Sequence, residues 1–240
     1  MGPSAVHFIP IVTTVLAVPF SLEIFRRYRQ FPDRLHLLWW AIGIATYGIG
    51  TFTEATTTLL GWNPVVFRAW YISGALLGGA PLAQGTVYLM LGRKAAHALT
   101  TLLIVYVIAA SVAVCLSPID YSAVETYRLS GRVFEWQWVR LFSPIVNIYA
   151  VIFLIGGAIL SAVKYSSDPA TRHRMWANVL IAVGALLPGI GGTATRMGHV
   201  EVLYVTELIG MLMTWSGYRI SVRPASGTAR PAPAGERAPA

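Results

Sequence analysis

Seven apolar runs, each about twenty residues or longer and poor in charge, leave few folds open to this chain. They fall at 6–25, 35–60, 65–91, 95–116, 139–163, 175–195 and 200–220. A helix rises about 1.5 Å per residue, so about 20 residues cross the roughly 30 Å hydrocarbon layer of a bilayer. The runs do not alternate apolar with polar side chains, which argues against the strands of a membrane barrel. The expectation is an all-α, polytopic membrane protein with seven transmembrane helices. Composition points the same way. Of the residues, 55% are hydrophobic and only 12% charged, and mean hydropathy is +0.61. A soluble surface needs about twice that charged share.

Lysine and arginine placement sets the expected orientation. Arg26, Arg27, Arg29, Arg34, Arg93, Lys94, Lys164, Arg172 and Arg174 flank alternate ends of the runs, together with the arginines that follow the last run. The opposite ends hold only Arg68, Arg128, Arg132, Arg140 and Arg196. The richer side is cytoplasmic by the positive-inside rule, so the N-terminus is expected outside and the C-terminus in the cytoplasm. Residues 1–223 form the expected bundle, and 224–240, rich in Pro and Ala, an expected disordered cytoplasmic tail. The location implied is the cell membrane, the cytoplasmic membrane in a prokaryote. A net charge of +8 would suit nucleic acid, but the basic residues sit at run ends rather than on one element. The lipid bilayer is the expected partner, and nucleic acid is not. The single cysteine, Cys115, permits no internal disulfide and reads as a small buried hydrophobe.

An ionisable side chain at mid-bilayer costs about 2.5–3.5 kcal/mol unless it faces a partner or water. Two glutamates must therefore look inward. Glu54 lies about six residues before the outer end of the second run, and Glu207 about six after Glu201 in the seventh. Both are expected roughly 9 Å below the outer surface. Each lies on a helical stripe of small or polar residues: Tyr47, Gly50, Thr51, Glu54, Thr57 and Thr58 in one, and Tyr204, Glu207, Gly210, Met211, Thr214 and Tyr218 in the other. Arg68 with Tyr71, Arg140 with Asn147, and Arg196 stand at the outer ends of neighbouring runs. Glu54, Glu207, Arg68, Tyr71, Arg196 and Asn147 are thus the candidate ligand- or ion-binding residues. The plain alternative is that Glu–Arg pairs hold helices together.

In the sixth run, Pro188, Gly189, Gly191 and Gly192 suggest a broken or kinked helix and a candidate hinge, because proline removes a backbone donor. Close packing through small residues explains the same stretch equally well. Gly78, Gly79, Ala80 and Pro81 repeat the pattern in the third run. A second polar set, Glu23, Gln84, Tyr88 and Asn178, reads as structural. The histidines, His7, His36, His97, His173 and His199, sit near run ends without metal-binding spacing, so no metal site is expected. No short catalytic motif is present, and enzyme chemistry is not supported.

Seven helices with the N-terminus outside resemble the plan of the microbial rhodopsins. That resemblance implies a retinal-bearing lysine near the middle of the last helix. The chain's lysines are Lys94 and Lys164, at inner run ends, so covalent retinal is disfavoured and any cofactor is unknown. The plan also looks like that of the seven-helix sugar transporters, whose Pro-Gln motifs this sequence lacks. The leading expectation is a bundle that binds or transports a small solute, ion or proton through a polar pocket in its outer half. The alternatives are a sensor or accessory subunit working through a membrane-protein partner, and an intramembrane enzyme acting on lipid or quinone.

Overall fold

A computed structural model of the chain describes residues 4–126 and 128–222. The expected tail at 224–240 lies outside the described residues. Long helices follow one another in the order α1 Ala5–Gln30, α2 Leu35–Leu60, α3 Pro64–Met90, α4 Arg93–Leu116, α5 Gln137–Ser166, α6 Pro169–Arg196 and α7 Val200–Ser221. The first six are long and apolar enough to cross a membrane. The 22 residues of α7 suffice in length, but Glu201, Glu207 and Arg219 lie among them. No strand forms among the described residues; two isolated antiparallel bridges are the only pairing.

Local chemistry sets the helix ends. At Gly61 the backbone turns to φ 85°, which glycine adopts without strain, and α2 stops. Two residues on, the Asn63 side chain accepts from Val65 N at 2.8 Å and Pro64 takes the first helical position, so α3 starts at once.

The helices close a ring. In turn, α1 packs on α2, α2 on α3, α3 on α5, α5 on α6, α6 on α7, and α7 back on α1. The fourth helix stands outside it, against α3 and the start of α5. Its outward face, Leu102, Val105, Ile108 and Val112, is exposed, as suits a surface in contact with acyl chains. Cys115 is exposed as well, which corrects the buried reading.

The closest seam is α6 against α7. A Cβ on Gly184 would lie 2.8 Å from the Gly210 carbonyl oxygen, and one on Gly210 would lie 2.6 Å from that of Gly184. Gly191 meets Leu203 Cα at 2.7 Å and Gly217 meets the Ala177 oxygen at 2.6 Å in the same sense. Small residues let the backbones touch, which is how helices associate where lipid removes the hydrophobic drive. Pro188 belongs to this seam. It offers no N–H to the Gly184 carbonyl, and that oxygen faces α7 at Gly210. Helix α6 runs as α-helix from Arg172 to Arg196 without a break. The interruption expected there is absent.

The interrupted helix is α3. It is α-helical over Pro64–Trp70, π-helical over Tyr71–Leu77, turns at Gly78 with φ 42° and ψ −120°, and resumes as α-helix at Ala80. Helix α5 carries a second π stretch, Val151–Ile155. Between α4 and α5 lies a segment without a long helix among its described residues. It is a folded cap of short 3-10 turns and the bridges Ile119 to Phe134 and Glu125 to Arg128. Ile119, Leu129, Val133 and Phe134 bury themselves against Phe67, Trp70 and Tyr71 of α3 and Val114 of α4.

Candidate functional site

Glu54 is 3% exposed, on the face of α2 made of glycine and threonine. The threonines bring no free polarity, because Thr51, Thr53 and Thr57 donate to carbonyls of their own helix. The carboxyl of Glu54 is left as the group that must find a partner across the bundle. Its Oε1 accepts from Trp70 Nε1 at 2.9 Å. On its other side the carboxyl of Glu207, from α7, comes within hydrogen-bonding reach. The structure thus brings the two candidate acids together from α2 and α7.

Neither acid is paired with arginine. Among the described residues the ion pairs are Arg128 with Glu125 and Arg219 with Glu23. The Oε2 atoms of Glu54 and Glu207 are both buried and accept nothing from any other protein donor. Two carboxylates hold only acceptors, so their contact is attractive when one proton lies between them. Around the pair stand Tyr47, whose hydroxyl donates to the Glu207 backbone oxygen at 3.0 Å, and Tyr204, one turn before Glu207. Both tyrosines are close enough to be acted on electrostatically by both acids. The Tyr204 ring meets His7 edge-on at 5.8 Å, and Ser4 Oγ lies 2.8 Å from His7 Nδ1. A line of polar side chains therefore runs from the start of α1 to the acids.

The other candidates are placed elsewhere. Arg68 reaches away from Glu54 and donates to the carbonyls of Val114 at 3.4 Å and Ser117 at 2.9 Å, closing the open end of α4. Tyr71 is buried, accepts from Ser143 Oγ at 3.2 Å, and meets Phe134 edge-on at 4.8 Å. Arg196 is exposed at the end of α6 and, with Arg140, acts electrostatically on Tyr71. Asn147 fills the interruption of α3: its Nδ2 donates to the Ala75 carbonyl at 3.3 Å, and its Oδ1 lies 2.9 Å from where a Cβ on Gly78 would stand. Of the hinge set, Gly191 packs against α7, whereas Gly189 and Gly192 have open space where a side chain would go.

The sequence reading missed Trp70 and Arg128. Trp70 follows Arg68 by two residues, and only the turn of α3 aims its indole at Glu54. Arg128 donates to the Thr195 carbonyl at 2.8 Å and ties the cap to the end of α6. In the same cap, Asp120 accepts from the hydroxyl and backbone N–H of Ser122, which hold its carboxyl below the usual range; it acts as a turn cap. In the second polar set, Gln84, Tyr88 and Asn178 are held by hydrogen bonds within and between helices. Gln84 is fully buried, donates to the Ala96 carbonyl at 3.1 Å and to Thr100 Oγ1 at 2.8 Å, and accepts from Tyr149. Asn178 donates to its own helix at Arg174.

Comparisons with protein-family models, with curated proteins and with solved structures find no match to this chain.

Proposed function

We propose that the chain is a seven-helix membrane transport protein in which Glu54 and Glu207 form a protonatable site for a proton, ion or small solute arriving from outside. In this reading the N-terminus is external, the C-terminus is cytoplasmic, and α7 spans with the other six. The observation that carries the proposal is the carboxyl-to-carboxyl contact between α2 and α7, buried and without arginine. A helix-to-helix tie could be made by one hydroxyl or amide. Two acids in one low-dielectric place instead hold a proton that can be exchanged, and intramembrane acids of this kind commonly belong to ion and proton pathways. Trp70 fixes the Glu54 rotamer, and Tyr204 and His7 mark the side from which the site is reached.

Reconstitution into proteoliposomes tests this reading. Proton or solute flux in the unaltered protein should fall at least about tenfold in Glu54→Gln and in Glu207→Gln. Flux unchanged in both variants removes the acids from the function.

A further inference from the structure

At the opposite end of the bundle from Tyr204, α1 and α7 diverge around a cavity of about 780 Å³. Three guanidinium groups line it, from Arg26, Arg27 and Arg219, with the rings of Trp215 and Tyr218. One carboxylate is present, Glu23, and it is already engaged. It accepts from Trp215 Nε1 at 2.8 Å and pairs with Arg219 at 3.2 Å, while that guanidinium lies over the Trp215 ring, 5.2 Å from its centre. Arg27 and the Tyr218 ring both line the cavity, and Arg26 is exposed. Among the described residues neither Arg26 nor Arg27 has an acidic partner. The cavity therefore holds two positive charges without answering negative ones.

The cavity also has an apolar approach. Leu22 is one of its walls, and Val15, Val18, Leu22 and Phe25, at helical spacing, form an exposed stripe along α1 that leads to it. In a bilayer that stripe meets acyl chains, and the arginines stand at headgroup level.

We propose that this cavity is a binding site for an anionic phospholipid. Its phosphate is held by Arg26 and Arg27, its glycerol region packs on Trp215, and one acyl chain lies along Val18 and Leu22. A basic pocket between helix ends is the chemistry that selects such headgroups, and Arg suits phosphate through its planar fork of donors. The Glu23–Arg219 pair sets the far wall and keeps the Trp215 indole in place.

The test uses purified, delipidated full-length protein in detergent. Melting temperature is followed while dioleoylphosphatidylglycerol, dioleoylphosphatidylcholine or inorganic phosphate is added. Phosphatidylglycerol should raise it at concentrations about tenfold lower than phosphatidylcholine, and inorganic phosphate should have no effect. The Arg26→Gln/Arg27→Gln double variant should lose the preference between the two lipids. Arg29→Gln, which removes an exposed charge on the same helix outside the cavity, should keep it. Equal effects of the two lipids, protection by phosphate alone, or equal loss of the preference in Arg29→Gln would each overturn the proposal.

Discussion

The carboxyls of Glu54 and Glu207 meet between α2 and α7, and neither is paired with an arginine. The nearest candidate in sequence, Arg68, spends its donors on the carbonyl end of α4. An acid pair without a cation tolerates a glutamine at one position, because an amide N–H can replace the proton between the oxygens. Glu54→Gln and Glu207→Gln should therefore each stay within about 1 kcal/mol of the unaltered stability. Glu54→Leu leaves the Glu207 carboxyl and the Trp70 indole without their partner and should destabilise by about 1–3 kcal/mol. Unfolding in detergent, followed by circular dichroism, separates the two outcomes.

Trp70 supplies the indole N–H that Glu54 Oε1 accepts at 2.9 Å. Trp70→Phe keeps most of the ring packing against Phe67 and leaves that oxygen unanswered. A loss of about 1–3 kcal/mol is expected on unfolding. If the indole positions the acid, proteoliposome flux should fall as well. Full flux with lowered stability would restrict Trp70 to a structural role.

Glycines of α6 and α7 divide into two kinds. Gly210→Ala drives a methyl to 2.6 Å from the Gly184 oxygen and 3.2 Å from Pro188 Cδ, and should destabilise by about 1–3 kcal/mol. Gly189→Ala and Gly192→Ala enter open space within a regular helix and should be neutral or stabilise by up to about 1 kcal/mol. If Gly189 and Gly192 serve as a hinge, these two variants will lose flux while gaining stability. Flux retained in both would leave α6 a rigid packing element.

Gly78 should not accept a side chain without strain. Its φ of 42° with ψ −120° is open to glycine and strained for other residues, and a Cβ there would also crowd Asn147 Oδ1 at 2.9 Å. Gly78→Ala is expected to lose about 1–3 kcal/mol. Asn147→Ala should lose about 1 kcal/mol, since it frees the Ala75 carbonyl that the π-helical stretch leaves to a side chain. Thermal unfolding of the two variants checks both.

Much of the architecture could be read from the residues. The second run, 35–60, coincides with α2, because Pro32 ahead of it and Gly61 after it punctuate an otherwise unbroken apolar stretch. That Glu54 and Glu207 face inward follows from helical period and the cost of burying a charge in lipid; that they face each other rather than arginine does not. What period cannot state is which helix lies beside which. For that reason Arg68 and Asn147 had no visible partners until α3, α4 and α5 were placed together. Which of the Pro188 and Gly78 stretches interrupts its helix was not legible for a related reason. Both stretches contain proline and glycine, but α6 stays helical through Pro188, where α7 packs closely, whereas at Gly78 the Asn147 side chain fills a gap in the backbone. The cap from Ser117 to Trp136 was illegible because its short turns carry no period and its apolar residues find their partners on α3 and α4.

The two ends of the chain should lie on opposite sides of the membrane, as a seven-span reading of α1 to α7 requires. A fluorescent reporter that matures only in the cytoplasm should glow when fused after Ala240 and stay dark when fused before Met1. Fluorescence in both fusions would mean that an even number of helices crosses.

The shared proton is the most direct point of attack. Infrared difference spectroscopy of the purified protein in lipid at neutral pH should show the C=O stretch of a protonated carboxyl that vanishes in the Glu54→Gln/Glu207→Gln double variant and is shifted or lost in either single variant. Absence of that band, or its persistence unaltered in the double variant, would contradict the account.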